Sequence, residues 1–235
     1  MKKTWLIPLL SATLILPTTL SATLILPTTL SVDAATKPTV ITKYAKDKKA
    51  LKYPYVTKGP STNVRKTINT DLTDFSKFAY QNYLDIEAME KRDKKSSFCK
   101  EYPSMCNYTY STSYKVSGNN ASYLTFILSD YEYTGGAHGL GYKYGVNYSL
   151  KTGKEVRITS ILKTSTQLKK VEKYIYNKLK NNDDYFVDTI SDVDVTKKSE
   201  YLMMKDGIKV IFQSYEIAPY STGQPEIFVP KSVYN

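Results

Sequence analysis

The chain has 235 residues, with 33 Lys and Arg against 22 Asp and Glu, a formal net charge of +11 and one histidine. That length suits one domain or two small ones with a real core, and the charge favours acidic surroundings or simply keeps the protein soluble. Two cysteines and a distant histidine do not make four zinc ligands, so no metal and no other cofactor is expected.

Residues 1–34 read as a signal peptide. Lys2 and Lys3 precede a stretch from Trp5 to Val32 without charge, and Val32-Asp33-Ala34 places small residues where a signal peptidase reads. SATLILPTTL at 11–20 is repeated at 21–30, a local duplication that brings the uncharged stretch to 28 residues. This exceeds the ~20 residues that span a bilayer, so an uncleaved anchor is the alternative to cleavage after Ala34. Pro8, Pro17 and Pro27 weaken a continuous helix there. The remainder, at about +10, is expected to be secreted and extracellular, in part at the wall. Export argues against nucleic acid as a partner, and a membrane becomes one only if the leader is uncleaved.

VITKYA (40–45) and ALKYPYV (50–56) alternate as strands, with the charged KDKK as a turn. Gly59-Pro60-Ser61-Thr62 then stops the chain and offers helix caps. Val64, Ile68, Leu72, Phe75 and Ala79 share one face of a helix expected from about Thr62 to Tyr83 or beyond. EAMEKRDKKSSFCKEYPSMC (87–106) reads as a charged surface excursion. Its Cys99 and Cys106 are expected to form a disulfide in an oxidising compartment, worth roughly 2–3 kcal/mol for so small a ring. Two free thiols are the alternative.

Tyr108, Tyr110, Thr112, Tyr114 and Val116 alternate, Ser117–Asn120 is a turn signal, and Ala121–Tyr133 returns as a long hairpin strand. That strand runs into YTGGAHG (133–139). Tyr142–Leu150 reads as the next strand, with a turn at Lys151-Thr152-Gly153 and a return over Glu155–Ile158. A second helix is expected from about Thr164 to Leu179, broken by Asn181–Asp184. Leu202–Lys205 and Ile208–Tyr215 form a hairpin across Asp206-Gly207. The loop EIAPYSTGQPE and the strand IFVP close the chain. This order specifies an α+β protein of antiparallel sheets, each packed by one helix. Two small subdomains, 35–133 and 134–235, are expected to share an interface.

Catalytic motifs are absent. There is no GxSxG elbow, no HExxH and no P-loop. SDVDVT at 191–196 lacks calcium-loop spacing. Glu216 and Glu226 could pair as glycosidase carboxylates, but no local signature marks them. The 22 tyrosines are the strongest compositional signal. Tyrosine suits protein or sugar recognition, and it is equally a good strand residue. Tyr133, Tyr142 and Tyr220, on predicted loops, are the better contact candidates. His138 lies among Gly135, Gly136 and Gly139. A structural, a recognition and a catalytic role all stay open for it.

YTGGAHG followed by YSLKTGKEVRITSIL, and DGIKVIFQSYEIAPYSTGQPEIFVP further on, together resemble the extracellular domain pair of the sigma-V anti-sigma factor, the receptor that binds lysozyme. They also resemble the non-catalytic N-terminal region of a peptidoglycan deacetylase. ALKYPYV and VRKTINTDLTDF fit the family's opening strand and helix, so the likeness covers about residues 40–230. Many members are secreted proteins of unknown function. The resemblance implies a surface built from Gly135, Gly136, His138 and Gly139 with Tyr215, Glu216, Pro219, Tyr220 and Gly223, flanked by Tyr133 and Tyr142. It does not extend to sigma-factor sequestration, because only Met1–Thr4 precede the apolar stretch. Nor does it extend to deacetylation, which needs a separate metal-binding domain with several histidines. Lysozyme binding is the remaining inherited function, and two basic proteins repel. The expectation is a secreted, non-catalytic binding module of the bacterial envelope, for an anionic wall polymer, a glycan or a wall-active protein such as lysozyme. A small cell-wall hydrolase using His138 and an exported protein–protein interaction domain are the alternatives.

Overall fold

The computed structural model describes residues 37–235, so the signal-peptide reading lies outside the described residues. Residues Asp33–Asn235 form one compact unit with its own hydrophobic clusters.

A hairpin of β1 (Thr39–Tyr44) and β2 (Lys52–Lys58) leads into the long helix α1 (Thr62–Asp93). The short helix α2 (Ser97–Glu101) precedes an antiparallel sheet in the order β3 (Thr109–Asn119), β4 (Tyr123–Tyr133), β5 (Leu140–Ser149). Helix α3 (Ser165–Leu179) is followed by a second antiparallel sheet, β6 (Glu200–Met204), β7 (Gly207–Ile211), β8 (Glu226–Pro230), and by the terminal turn α4 (Lys231–Tyr234). The protein is α+β, and each three-stranded sheet carries one of the two long helices.

Local sequence explains both helices. The Ser61 hydroxyl caps α1 by accepting from Val64 N at 3.4 Å, and Thr164 and Gln167 form a capping box on α3. The face of Val64, Ile68 and Leu72 packs on Val56, Leu124, Phe126, Leu128 and Tyr148. Val171, Ile175 and Leu179 of α3 pack on Ile208, Val210, Ile227 and Val229. Truncating the fully buried Phe126 would cost about 3–5 kcal/mol.

Helix α1 meets its expected range, whereas the charged excursion and three strands differ from the sequence expectation. Helix α1 continues through Asp93, because Ile86 still reaches a core made with Leu51 and Tyr110. Lys91 and Arg92 in its last turn suit the negative end of the helix dipole. The charged excursion therefore begins only after α1. Strand β3 runs through Ser117 and Gly118 to Asn119, with a register shift between Val116 and Gly118. Glu155–Ile158 is not a strand: Tyr148 and Glu155 form one bridge, and a single helical turn occupies Ile158–Ser160. Strand β7 ends at Ile211, where Phe212 N turns to donate to Pro225 O.

The two sheets are joined by side chains rather than by a backbone ladder. Leu124, Phe126 and Leu128 of β4 face α1, while Ile127 points the other way and packs on Leu202 and Ile211. Gly145 of β5 is buried where a Cβ would collide with the Tyr201 carbonyl, so the close approach requires glycine. Asn147, fully buried, accepts from Met203 N at 2.6 Å and donates to Tyr201 O at 2.9 Å. Gln213 accepts from Lys143 N at 3.0 Å and donates to Lys143 O at 2.9 Å. Asn69 of α1 makes the same pair of bonds to Val56 N and Val56 O, both within 2.9 Å. Each amide thus satisfies strand-edge backbone groups that burial would otherwise leave unpaired. Lys143 and Lys209 also converge on Glu226, at 3.0 and 3.4 Å.

Candidate functional site

The row of β4 residues facing α1 continues past Leu128 as Asp130 and Glu132, by the two-residue period of a strand. The register places Asp130 beside Tyr142 of β5 and Thr112 of β3, and Glu132 beside Tyr110 and Leu140. Here the sheet outruns its apolar cover. Phe78 and Asn82 of α1, the end of the sheet, and Ser214 and Tyr215 after β7 enclose a cleft of about 420 Å³.

Asp130 forms the floor of this cleft. One carboxylate oxygen accepts from Tyr142 N at 3.0 Å. The other accepts from the Tyr144 hydroxyl at 3.1 Å and the Tyr110 hydroxyl at 3.3 Å. Asn82 Nδ2 donates to Tyr110 Oη at 3.3 Å. Burial first, and then the Asp130 charge, pushes the Tyr144 hydroxyl up. Burial raises the Tyr110 hydroxyl too, with the Asp130 charge adding to it against an opposing Asn82 hydrogen bond. Both phenols therefore stay protonated and hold the carboxylate as donors.

The walls are aromatic. Tyr142 and Tyr144 are 4.6 Å apart between ring centroids, and Phe78 meets Tyr144 edge-on at 6.3 Å. Phe78 is 46% exposed, Leu140 47%, Tyr142 38% and Tyr215 52%. Large apolar side chains left open around a fixed carboxylate are the usual composition of a binding cleft.

The Tyr215 wall is fixed by His138. The imidazole stacks on Tyr220, with 3.8 Å between centroids and 14° between planes. Nδ1 lies 3.0 Å from Gly139 O, and a carbonyl only accepts, so Nδ1 carries the hydrogen. Nε2 then accepts from the Tyr215 hydroxyl at 3.2 Å. Tyr215 itself holds a φ of 69°, a left-handed conformation rare for a bulky residue. Gly139 N donates to Tyr131 Oη at 3.2 Å, and a Cβ at Gly139 would strike the Tyr131 ring and Glu132 O.

The structure thus brings together His138, Tyr215 and Tyr220, and places Tyr142 and Tyr215 in one cleft. The other sequence candidates take different positions. Tyr133 donates to Gly136 O at 3.0 Å, and Gly135 lies against Met105 O, both toward the cysteine loop. Pro219 and Gly223 bracket the turn Tyr220–Thr222. Glu216 accepts from Gln213 N at 2.7 Å and lies on the Glu200 side of Tyr142. Cys99 and Cys106 form a disulfide with 5.7 Å between their Cα atoms. Phe78, Asn82, Tyr110, Asp130, Glu132, Leu140 and Tyr144 were missed. The available signal was the alternation of Asp130 and Glu132 in phase with Leu124, Phe126 and Leu128. Among the described residues, no group of three or more His, Cys, Asp or Glu side chains is arranged to hold a metal ion.

Two family models match this chain. Residues 43–141 match the one described as deacetylase PdaC, and residues 159–232 the one described as a protein of unknown function, DUF3298. The chain is 28% identical over 126 residues to the peptidoglycan-N-acetylmuramic acid deacetylase PdaC of Bacillus subtilis strain 168. That match spans 51% of this chain and 27% of the relative. A DUF3298 family member from Bacteroides fragilis NCTC 9343 shares the fold, with a TM-score of 0.57 at 20% identity over 83% of this chain and 88% of that one. A DUF3298 family protein from Pseudomonas aeruginosa PAO1 aligns at a TM-score of 0.48 and 14% identity, over 83% and 90% of the two chains. The resemblance to the deacetylase's N-terminal region thus holds for the first half, and the second half matches the DUF3298 model. The cleft draws mainly on the PdaC-like segment, and its Tyr215 wall comes from the DUF3298-like one.

Proposed function

We propose that this protein is a secreted, non-catalytic binding module of the bacterial cell envelope, and that its cleft takes a hexosamine-containing glycan. The aromatic cleft around Asp130 carries this reading. Flat rings such as Tyr142 and Tyr215 offer apolar faces for the C–H face of a sugar, and Asn82 and Glu132 offer polar atoms for its hydroxyl or nitrogen substituents. The B. subtilis relative is a peptidoglycan-N-acetylmuramic acid deacetylase, and this supports a wall glycan as the ligand class. The disulfide suits an oxidising compartment. Binding is favoured over hydrolysis because the polar atoms of Asp130 and His138 already have protein partners.

Calorimetric titration with soluble peptidoglycan fragments and hexosamine oligosaccharides tests the reading. Phe78→Ala and Tyr142→Ala are each expected to weaken binding about tenfold, since truncation of an aromatic anchor typically removes more than 1 kcal/mol. Turnover of the oligosaccharide by the parent, or binding unchanged in both variants, would sink it. The carboxylates of Asp130 and Glu132 make the cleft locally acidic although the chain as a whole is basic, and they favour a second reading, a basic protein such as lysozyme. A titration with lysozyme separates the two.

A further inference from the structure

The segment after α1 takes no part in the cleft, yet it is built with care. Ser96 Oγ caps α2 by accepting from Cys99 N at 3.2 Å, and the Cys99–Cys106 bond closes the loop. Both cysteines are buried, at 6% and 1% exposure, so the disulfide supplies the inward anchor of this excursion. The aromatic residues point outward instead. Phe98 and Tyr102, one helical turn apart, stand 53% and 48% exposed with 5.3 Å between ring centroids. The stretch that carries them is basic on balance, with Glu101 the exposed carboxylate beside Tyr102. Lys91, Lys95 and Lys100 are exposed, while Lys94 pairs with Glu90 and Arg92 with Asp93. Folding does not require two aromatic rings in water at the tip of a stapled loop.

We propose that this knob docks the protein on the surface of an anionic lipid bilayer, with the rings of Phe98 and Tyr102 at the headgroup boundary and the lysines on lipid phosphates. Three physical features select this occupant. The rings are amphipathic or apolar and project from a rigid loop, which suits insertion into an interface at low entropic cost. The exposed lysines add roughly 1 kcal/mol each near an anionic surface. The patch is also too small for a stable protein partner: two rings bury ~300–500 Å², against ~800 Å² per side of an ordinary protein interface. A soluble polyanion would satisfy the lysines and leave the rings in water. The docking proposed for this knob is interfacial, with the rings at the headgroup boundary rather than across the bilayer.

The test uses the compact unit Asp33–Asn235 with its disulfide intact, which removes the apolar leader as a competing anchor. Co-sedimentation with vesicles of phosphatidylglycerol and phosphatidylcholine is compared with phosphatidylcholine alone. Retention is expected only on the anionic vesicles, and Phe98→Ser with Tyr102→Ser is expected to reduce it at least about tenfold without lowering the melting temperature. The chain's one tryptophan is Trp5, so Phe98→Trp in this unit is a sole reporter. Its emission should shift to the blue on anionic vesicles. No retention of the parent, equal retention of the double serine variant, or an unshifted tryptophan would overturn the proposal.

Discussion

The imidazole of His138 lies flat on the ring of Tyr220 while its Nε2 accepts from Tyr215, so one side chain ties the 133–139 loop to the 215–220 loop. Both ring nitrogens are engaged, and the ring serves as a fixed clamp on one wall of the cleft. His138→Ala is therefore expected to lower stability by about 0.5–1.5 kcal/mol through the lost stacking and hydrogen bond. It should also weaken ligand binding by releasing Tyr215. Urea denaturation and titration on the same variant check both. Unchanged binding would exclude the clamp.

Tyr215 separates function from stability. Its left-handed backbone costs about 1–2 kcal/mol that glycine does not incur. Tyr215→Gly is expected to fold with a melting temperature no lower than the parent's, while losing most of the glycan affinity. A marked fall in melting temperature would mean that the ring holds the loops together more than it serves the cleft.

Asn147 is the central bond between the sheets. Asn147→Leu removes its amide and leaves Tyr201 O and Met203 N buried without partners. A loss of about 2–4 kcal/mol is expected, from the desolvation of two backbone groups. A surface substitution such as Lys151→Ala should stay within about 0.5 kcal/mol. Chemical denaturation reads the difference.

The same junction carries a pH dependence. Burial first, and then the charges of Glu155 and Glu216, pushes the Glu200 carboxyl up to about 7, against a stabilising hydrogen bond from Gly145 N at 2.7 Å. An acid whose folded pKa is raised holds its proton longer in the folded state. Stability from this group is therefore present below the ordinary carboxylate pKa and is lost as pH rises from about 4.5 to 7. Discounted for partial exposure, the loss is on the order of 1–2 kcal/mol. Glu200→Gln keeps an acceptor for Gly145 and should remove this slope in melting temperature between pH 5 and pH 8, a window set by the raised carboxyl. Glu226 acts oppositely: burial raises it, but Lys143 and Lys209 outweigh burial and hold it below its usual value. Its contribution is present above the ordinary carboxylate pKa and is lost on acidification through its lowered one.

The carboxylates of the cleft also predict a preference among sugars. An oligosaccharide of glucosamine carries ammonium groups that Glu132 and Asp130 attract, whereas its N-acetylated counterpart does not. The free amine form is expected to bind several-fold tighter at low ionic strength, and Glu132→Gln should narrow the gap. Equal affinities in the parent would show that the rings alone select the ligand.

Local pattern reached far in this protein because much of its structure is local. The face of Val64, Ile68 and Leu72 and that of Val171, Ile175 and Leu179 specify their helices through contacts three and four residues apart. Asp206-Gly207 fixes the β6–β7 hairpin in the same way. Glu155–Ile158 misled because its alternation satisfies a strand, yet it meets β5 only through the Tyr148–Glu155 bridge and the bond from Val156 N to Asn147 O before the helical turn at Ile158–Ser160. The aromatic candidates Tyr142 and Tyr215 stood out in the sequence by residue type and position. Asp130 did not, because a lone aspartate among tyrosines carries no sign of its partners.

What the sequence by itself determined was the two long helices, the main hairpins, the α+β class and the two cysteines placed to pair. Periodicity, capping and turn chemistry act within a few residues, and they are written in the order of the chain. Only the tertiary structure decided the cleft and the junction. The partners of Asp130 come from β3, β5 and, through Tyr110, from Asn82 of α1. Asn147 and Gln213 find backbone groups more than fifty residues away. Such contacts depend on strand register and on how one sheet lies against another. Both are settled by the summed burial of the whole core rather than by any short stretch of residues.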